Sequence, residues 1–188
     1  MSDAPLVLTL ADEAATLRLA EALATRLASG DVIALEGDLG AGKTTLARAL
    51  IRAVAGDPAL EVPSPTFTIV QTYPGRVPIA HFDLYRLGSP DELDEIGFDE
   101  AVADGAVLIE WPERGGNRIP SSALTIRLEI AGEGRRAALS GGGGRALPVS
   151  PGSWRRRASA TPFALTSPVT PRAAAMSASC APMGRARC

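Results

Sequence analysis

Apolar residues along this chain fall into runs of two kinds. Residues 6–10 and 32–35 are short and almost continuously apolar, the pattern of strands buried in a sheet. Between them Ala15, Leu17, Leu19, Ala20, Leu23, Ala24 and Leu27 supply the apolar side of a helix. Asp12 is placed to cap its start, and Ser29-Gly30 to end it. The strand 32–36 runs into a glycine-rich turn. A helix over 43–55 follows and stops at Gly56-Asp57-Pro58. Strand, tight loop and helix in series predict an α/β fold, a mixed and mostly parallel sheet with helices on both faces.

Farther along, 67–73 and 77–83 read as strands joined by the turn Tyr73-Pro74-Gly75-Arg76, an antiparallel hairpin added to one edge. Ser89 and Pro90 open a short helix, as cap and first position. A second buried strand is predicted over 106–111, and a loop over 112–120. Residues 124–130 alternate Leu/Ile with Thr/Arg/Glu and can pair with 135–139 across Gly132-Glu133-Gly134. Beyond this the periodicity fails. The reading is one domain over 1–139 and a disordered tail over 140–188, rich in Gly, Pro, Arg and Ala.

Charge sharpens that division. Residues 1–138 hold all 21 acidic side chains and 12 of the 19 basic ones, a net of −9, whereas 139–188 hold seven arginines and no acid. An acidic body argues against a dedicated nucleic-acid surface. The sudden loss of acids would also suit a shifted reading frame of a GC-rich gene. The N-terminus has no basic region leading into an apolar run, and no stretch approaches the roughly 18 apolar residues of a membrane span. Cys180 and Cys188 imply neither a disulfide framework nor a structural metal. A cytoplasmic protein without a membrane is expected.

The turn after the second strand carries chemistry. Gly37, Gly40, Gly42, Lys43 and Thr44 fit the phosphate-binding pattern G-x-x-x-x-G-K-[ST]. Glycines let the backbone approach a polyphosphate with its N–H groups inward, and the following helix adds its positive end. Of the 19 basic residues 18 are arginine; the one lysine is Lys43, where a compact ammonium must meet phosphate. Such a loop needs an acid on a neighbouring strand to help hold Mg²⁺. Asp83 and Glu110 both end predicted strands, and Glu110 follows the cleaner buried run. His81 is either an acid–base group or a hydrogen-bonded structural histidine, and its place in a strand favours the second. Ser64 and Thr66 form either a nucleotide-sensing switch or a proline-stiffened connection. Trp111 is a core residue or a lid. Arg86, Arg114 and Arg118 are candidates for offsetting charge on a phosphoryl group.

Five segments occur in a fixed order: 37–45, Ser64-Pro65-Thr66-Phe67-Thr68, His81-Phe82-Asp83-Leu84-Tyr85-Arg86-Leu87, Asp91-Glu92-Leu93 with Gly97, and Ile109-Glu110-Trp111-Pro112-Glu113. Together they resemble the TsaE (YjeE) family of bacterial tRNA threonylcarbamoyladenosine biosynthesis proteins, small P-loop ATPases, over roughly residues 5–139. The resemblance implies a P-loop NTPase fold and ATP with Mg²⁺ as cofactors. It implies that Thr44 and Glu110 hold the metal and that Gly37, Leu39, Gly40, Ala41, Gly42, Lys43, Thr44 and Thr45 surround the phosphates. Ser64 and Thr66 would sense the nucleotide and Trp111 would lie beside it. Lys43, Asp83 and Glu110 would be catalytic, with Asp83 in the active site, where it could position the attacking water. TsaD-like and TsaB-like partners are implied, with tRNA reached through them, and ATP hydrolysis that resets the complex modifying position 37.

Two other functions share these residues. A small-molecule kinase would need an arginine-rich lid, for which only the short 112–120 loop is a candidate. A nucleotide-dependent switch with negligible turnover differs from an ATPase mainly in rate. A GTPase is disfavoured, because guanine recognition through Asn-Lys-x-Asp needs a second lysine.

Overall fold

The computed structural model describes residues 5–141. In chain order it contains β1 (Leu6–Leu10), α1 (Glu13–Ala24), β2 (Val32–Glu36), α2 (Lys43–Ala55), β3 (Val70–Tyr73), β4 (Ile79–Asp83), α3 (Glu92–Glu95), α4 (Phe98–Asp104), β5 (Ala106–Glu110), β6 (Leu124–Ala131) and β7 (Gly134–Gly141). The strands form one sheet in the order β1-β7-β6-β2-β5-β4-β3. Its centre is parallel: β2 lies between β5 and β6, and β4 runs beside β5. Both margins are antiparallel. β3 pairs with β4 as the expected edge hairpin, and β7 lies between β6 and β1.

Helices cover both faces, which is why β5 is buried along its whole length and β2 along all but its last residue. On one face Leu19, Leu23, Leu46 and Leu50 of α1 and α2 pack with Ile33, Leu35, Leu108 and Ile126. On the other, Leu93 and Phe98 of α3 and α4 close over Ala34, Phe82, Val107 and Ile109. Successive residues of β2 thus point to opposite cores.

The structure differs from the periodicity at element ends. α1 begins as expected, with the Asp12 carboxylate accepting from the Ala15 N–H at 2.7 Å. It ends early at Ala24, where Arg76 Nη2 donates to the carbonyls of Ala24 (2.7 Å) and Leu27 (2.8 Å) and so satisfies the open helix end. Leu17, expected on the apolar side, faces solvent. The strand expected from 67 starts at Val70, because Ile69 takes a φ of 64° and its N–H closes a turn onto the Pro65 carbonyl. The one expected from 77 starts after Pro78, which has no N–H for a ladder. β5 stops at Glu110, since Trp111 turns to a φ of 60°. α4 falls outside the expected elements. It starts from Gly97 without a side-chain cap, and its signal is the helical spacing of Phe98, Ala101 and Val102. β7 continues through Ser140 and Gly141, just past the expected domain limit. The disordered tail expected beyond them lies outside the described residues. Among the described residues no helix is long and apolar enough to cross a membrane.

Candidate phosphate and metal site

Parallel strands deliver their C-terminal ends to one edge, where βα loops build sites. Here β2, β5 and β4 end side by side, with Leu35 opposite Glu110 and Glu110 opposite Asp83. The loop after β2 leads into α2, whose first turn carries Lys43 and Thr44. Gly37 cannot be replaced without strain: its φ is 137°, and a Cβ there would lie 2.3 Å from the Leu128 carbonyl oxygen. Gly42 precedes α2 with a φ of 105°, the left-handed region that favours glycine, and no side chain caps the helix's first N–H groups. Leu39 sits exposed at the tip, Ala41 is buried, and Thr45 is half-buried behind Thr44.

Lys43 is only 5 % exposed. Its Nζ donates to the carbonyls of Gly37 (2.7 Å) and Asp38 (3.0 Å) and lies 3.7 Å from the centre of the Trp111 ring. Burial lowers its pKa, and the carboxylates of Glu110, Glu113, Asp83 and Asp38 oppose that shift. The left-handed backbone of Trp111 brings the ring here, so this residue is a wall of the site, with Tyr85 tilted against it at 5.1 Å.

Glu110 is fully spoken for. Its Oε2 accepts the Thr44 hydroxyl at 2.8 Å and its Oε1 meets His81 Nε2 at 3.0 Å. A hydroxyl and a carboxylate oxygen are hard donors of the type Mg²⁺ takes, with water and phosphate oxygens completing its shell. Among the described residues no group of three or more His, Cys, Asp or Glu is arranged to hold a metal ion by itself. Asp83 is also buried, and it is held separately. Ser64 Oγ (3.0 Å) and Thr66 Oγ1 (2.7 Å) donate to its Oδ2, and the Tyr85 N–H donates to Oδ1 at 3.0 Å. The two hydroxyl residues and the second acid, read apart in the sequence, are one unit.

Sequence reasoning missed Arg135. Its Nε donates to the Ala41 carbonyl at 3.0 Å and its Nη2 to the Gly40 carbonyl at 3.2 Å. Arg135 thus holds two carbonyls of the loop from outside it, while the Ala41 N–H closes a turn onto the Asp38 carbonyl at 3.1 Å. No local signal could link residues more than ninety positions apart; the β6–β7 hairpin does. Arg118 is paired with Asp94, and Arg86 lies over the Phe67 ring at 5.4 Å. A cleft of about 710 Å³ lined by Gly37, Asp38, Trp111 and Arg127 flanks the loop on one side. A second of about 260 Å³, lined by Asp12, Thr16, Thr45 and Arg135, flanks the other.

Comparison with known proteins gives a consistent picture. The family model "Threonylcarbamoyl adenosine biosynthesis protein TsaE" matches residues 10–138. A protein of Rickettsia felis named tRNA threonylcarbamoyladenosine biosynthesis protein TsaE is 40% identical over 131 residues, 69% of this chain and 76% of that one. One of the same name from a Nostoc species is 41% identical over 136 residues, 69% of this chain and 81% of the relative. The crystal structure of Bacillus subtilis YdiB superposes with a TM-score of 0.62 at 30% identity, covering 76% of this chain and 88% of that one.

Proposed function

The chain belongs to the TsaE family, and from that premise we propose that it binds ATP with Mg²⁺ and hydrolyses it in making N6-threonylcarbamoyladenosine at tRNA position 37. The reading extends to partners resembling TsaD and TsaB, whose complex the hydrolysis resets. The observation that carries the nucleotide part is the Thr44–Glu110 hydrogen bond, which ties the first turn of the phosphate loop's helix to a buried strand-end acid. Thr44 and Glu110 would hold the ion; when bound, Mg²⁺ neutralises phosphate charge and orients the terminal phosphoryl group. Lys43 would leave the Gly37 and Asp38 carbonyls for phosphate oxygens. Asp83, held by Ser64 and Thr66, is within the chain's reach for orienting a water, and a phosphate oxygen would compete with it for those hydroxyls. Catalysis of this kind works by positioning and charge.

Phosphate release from ATP by the full chain, alone and with candidate partner proteins and tRNA, tests the reading. Partner-dependent stimulation that is lost in Lys43→Ala is the expected result. Wild-type rates from Lys43→Ala, or stimulation by a small metabolite in place of partners, would overturn it.

A further inference from the structure

His81 lies in β4, wholly buried, opposite Gln71 on one side and Leu108 on the other. Its Nε2 is 3.0 Å from Glu110 Oε1, while Nδ1 has no hydrogen-bond partner among the described residues. Toward an ionised carboxylate, which only accepts, the imidazole donates from Nε2. A ring kept for packing alone would be better served by Leu or Phe, since burying an unpaired nitrogen costs free energy. The polar contact that His81 makes is therefore its reason for being there. Glu110 is gripped by one donor on each oxygen, from two different elements: His81 on β4 and Thr44 on α2. A glutamate has three rotatable bonds, and the His81 contact restricts the orientation in which the carboxylate meets Thr44. Asp83 lies two residues farther along β4, so His81 and Asp83 share the face directed at the site.

We propose that His81 is a positioning residue for Glu110, setting the affinity of the site for Mg²⁺ without touching nucleotide or metal. This rests on the reading that Thr44 and Glu110 hold Mg²⁺ beside ATP. It predicts a separation that a structural histidine would not produce: metal affinity changes while metal-free nucleotide affinity does not.

The test is equilibrium binding of a fluorescent ATP analogue to the full chain, titrated with Mg²⁺ and repeated in excess EDTA. His81→Leu should need about tenfold more Mg²⁺ for the half-maximal gain in affinity, with EDTA affinity within about twofold of wild type; such factors are usual when a ligand's supporting hydrogen bond is removed. His81→Gln, whose amide can donate to Oε1, should recover most of the loss. Circular dichroism melts accompany each variant. If His81→Leu does not fold, His81→Asn, polar but too short to reach Glu110, replaces it with the same expectation. An unchanged Mg²⁺ midpoint, or an equal loss in EDTA, would sink the proposal. A wild-type protein whose ATP affinity ignores Mg²⁺ would instead overturn the underlying reading, and the proposal with it.

Discussion

A buried carboxylate is tolerated only when donors surround it, and at the residue scale the site is two such acids solved in two ways. Glu110 draws on a histidine and a threonine from separate elements; Asp83 draws on one loop and its own following turn. Glu110→Ala removes an acceptor from His81 and Thr44 together. It should weaken Mg²⁺-dependent ATP affinity at least tenfold and cost about 1–3 kcal/mol of stability from the stranded donor; titration calorimetry and urea melts check the two effects. Gly37→Ala should cost more than about 1 kcal/mol and abolish ATP binding, because its Cβ would meet backbone, which cannot swing aside. Normal ATP affinity in that variant would contradict the assigned loop geometry. Lys43 and both acids were legible in the sequence, since motif spacing and strand-end position are local. The links from His81 to Glu110 and from Arg135 to the loop were not, because they join residues remote in the chain.

At the element scale the central strands and α2 follow directly from apolar runs, with α2 running from Lys43 to Ala55 as the spacing predicts. Element ends were decided by single contacts from elsewhere. Arg76 closes α1, and the backbone turn at Trp111 stops β5 so that its ring can face Lys43. α4 was hidden because it is short and starts from a glycine with no capping side chain. Its hold on the sheet is Phe98, which is buried and meets Phe82 edge-on at 5.6 Å. Phe98→Ala should destabilise the protein by about 3–5 kcal/mol in urea unfolding. A loss below about 1 kcal/mol would mean that α4 contributes little to the second core.

The whole molecule is organised by strand order. Placing β2 beside β5, and β5 beside β4, sets the phosphate loop, Glu110 and Asp83 in a row at one edge of the sheet. The antiparallel margin of β6 and β7 then folds back and brings Arg135 to the loop. A ligand bridging these elements should stabilise the fold as a unit. ATP with Mg²⁺ at about 100 times its Kd is expected to add about 2.7 kcal/mol to unfolding. That gain should shrink in EDTA and vanish in Lys43→Ala, and a denaturant midpoint indifferent to nucleotide would count against the site.

The sequence by itself determined the glycine-rich loop with its lysine and hydroxyl, the central buried strands and the two acids at strand ends. These depend on residue type and on spacing within a few positions, where backbone geometry is the same whatever surrounds it. Only the tertiary structure brought His81 against Glu110, tied Ser64 and Thr66 to Asp83, and set the Trp111 ring beside the lysine. Those are outcomes of register between strands that lie far apart in the chain. A one-residue shift in pairing would turn each side chain to the opposite face of the sheet.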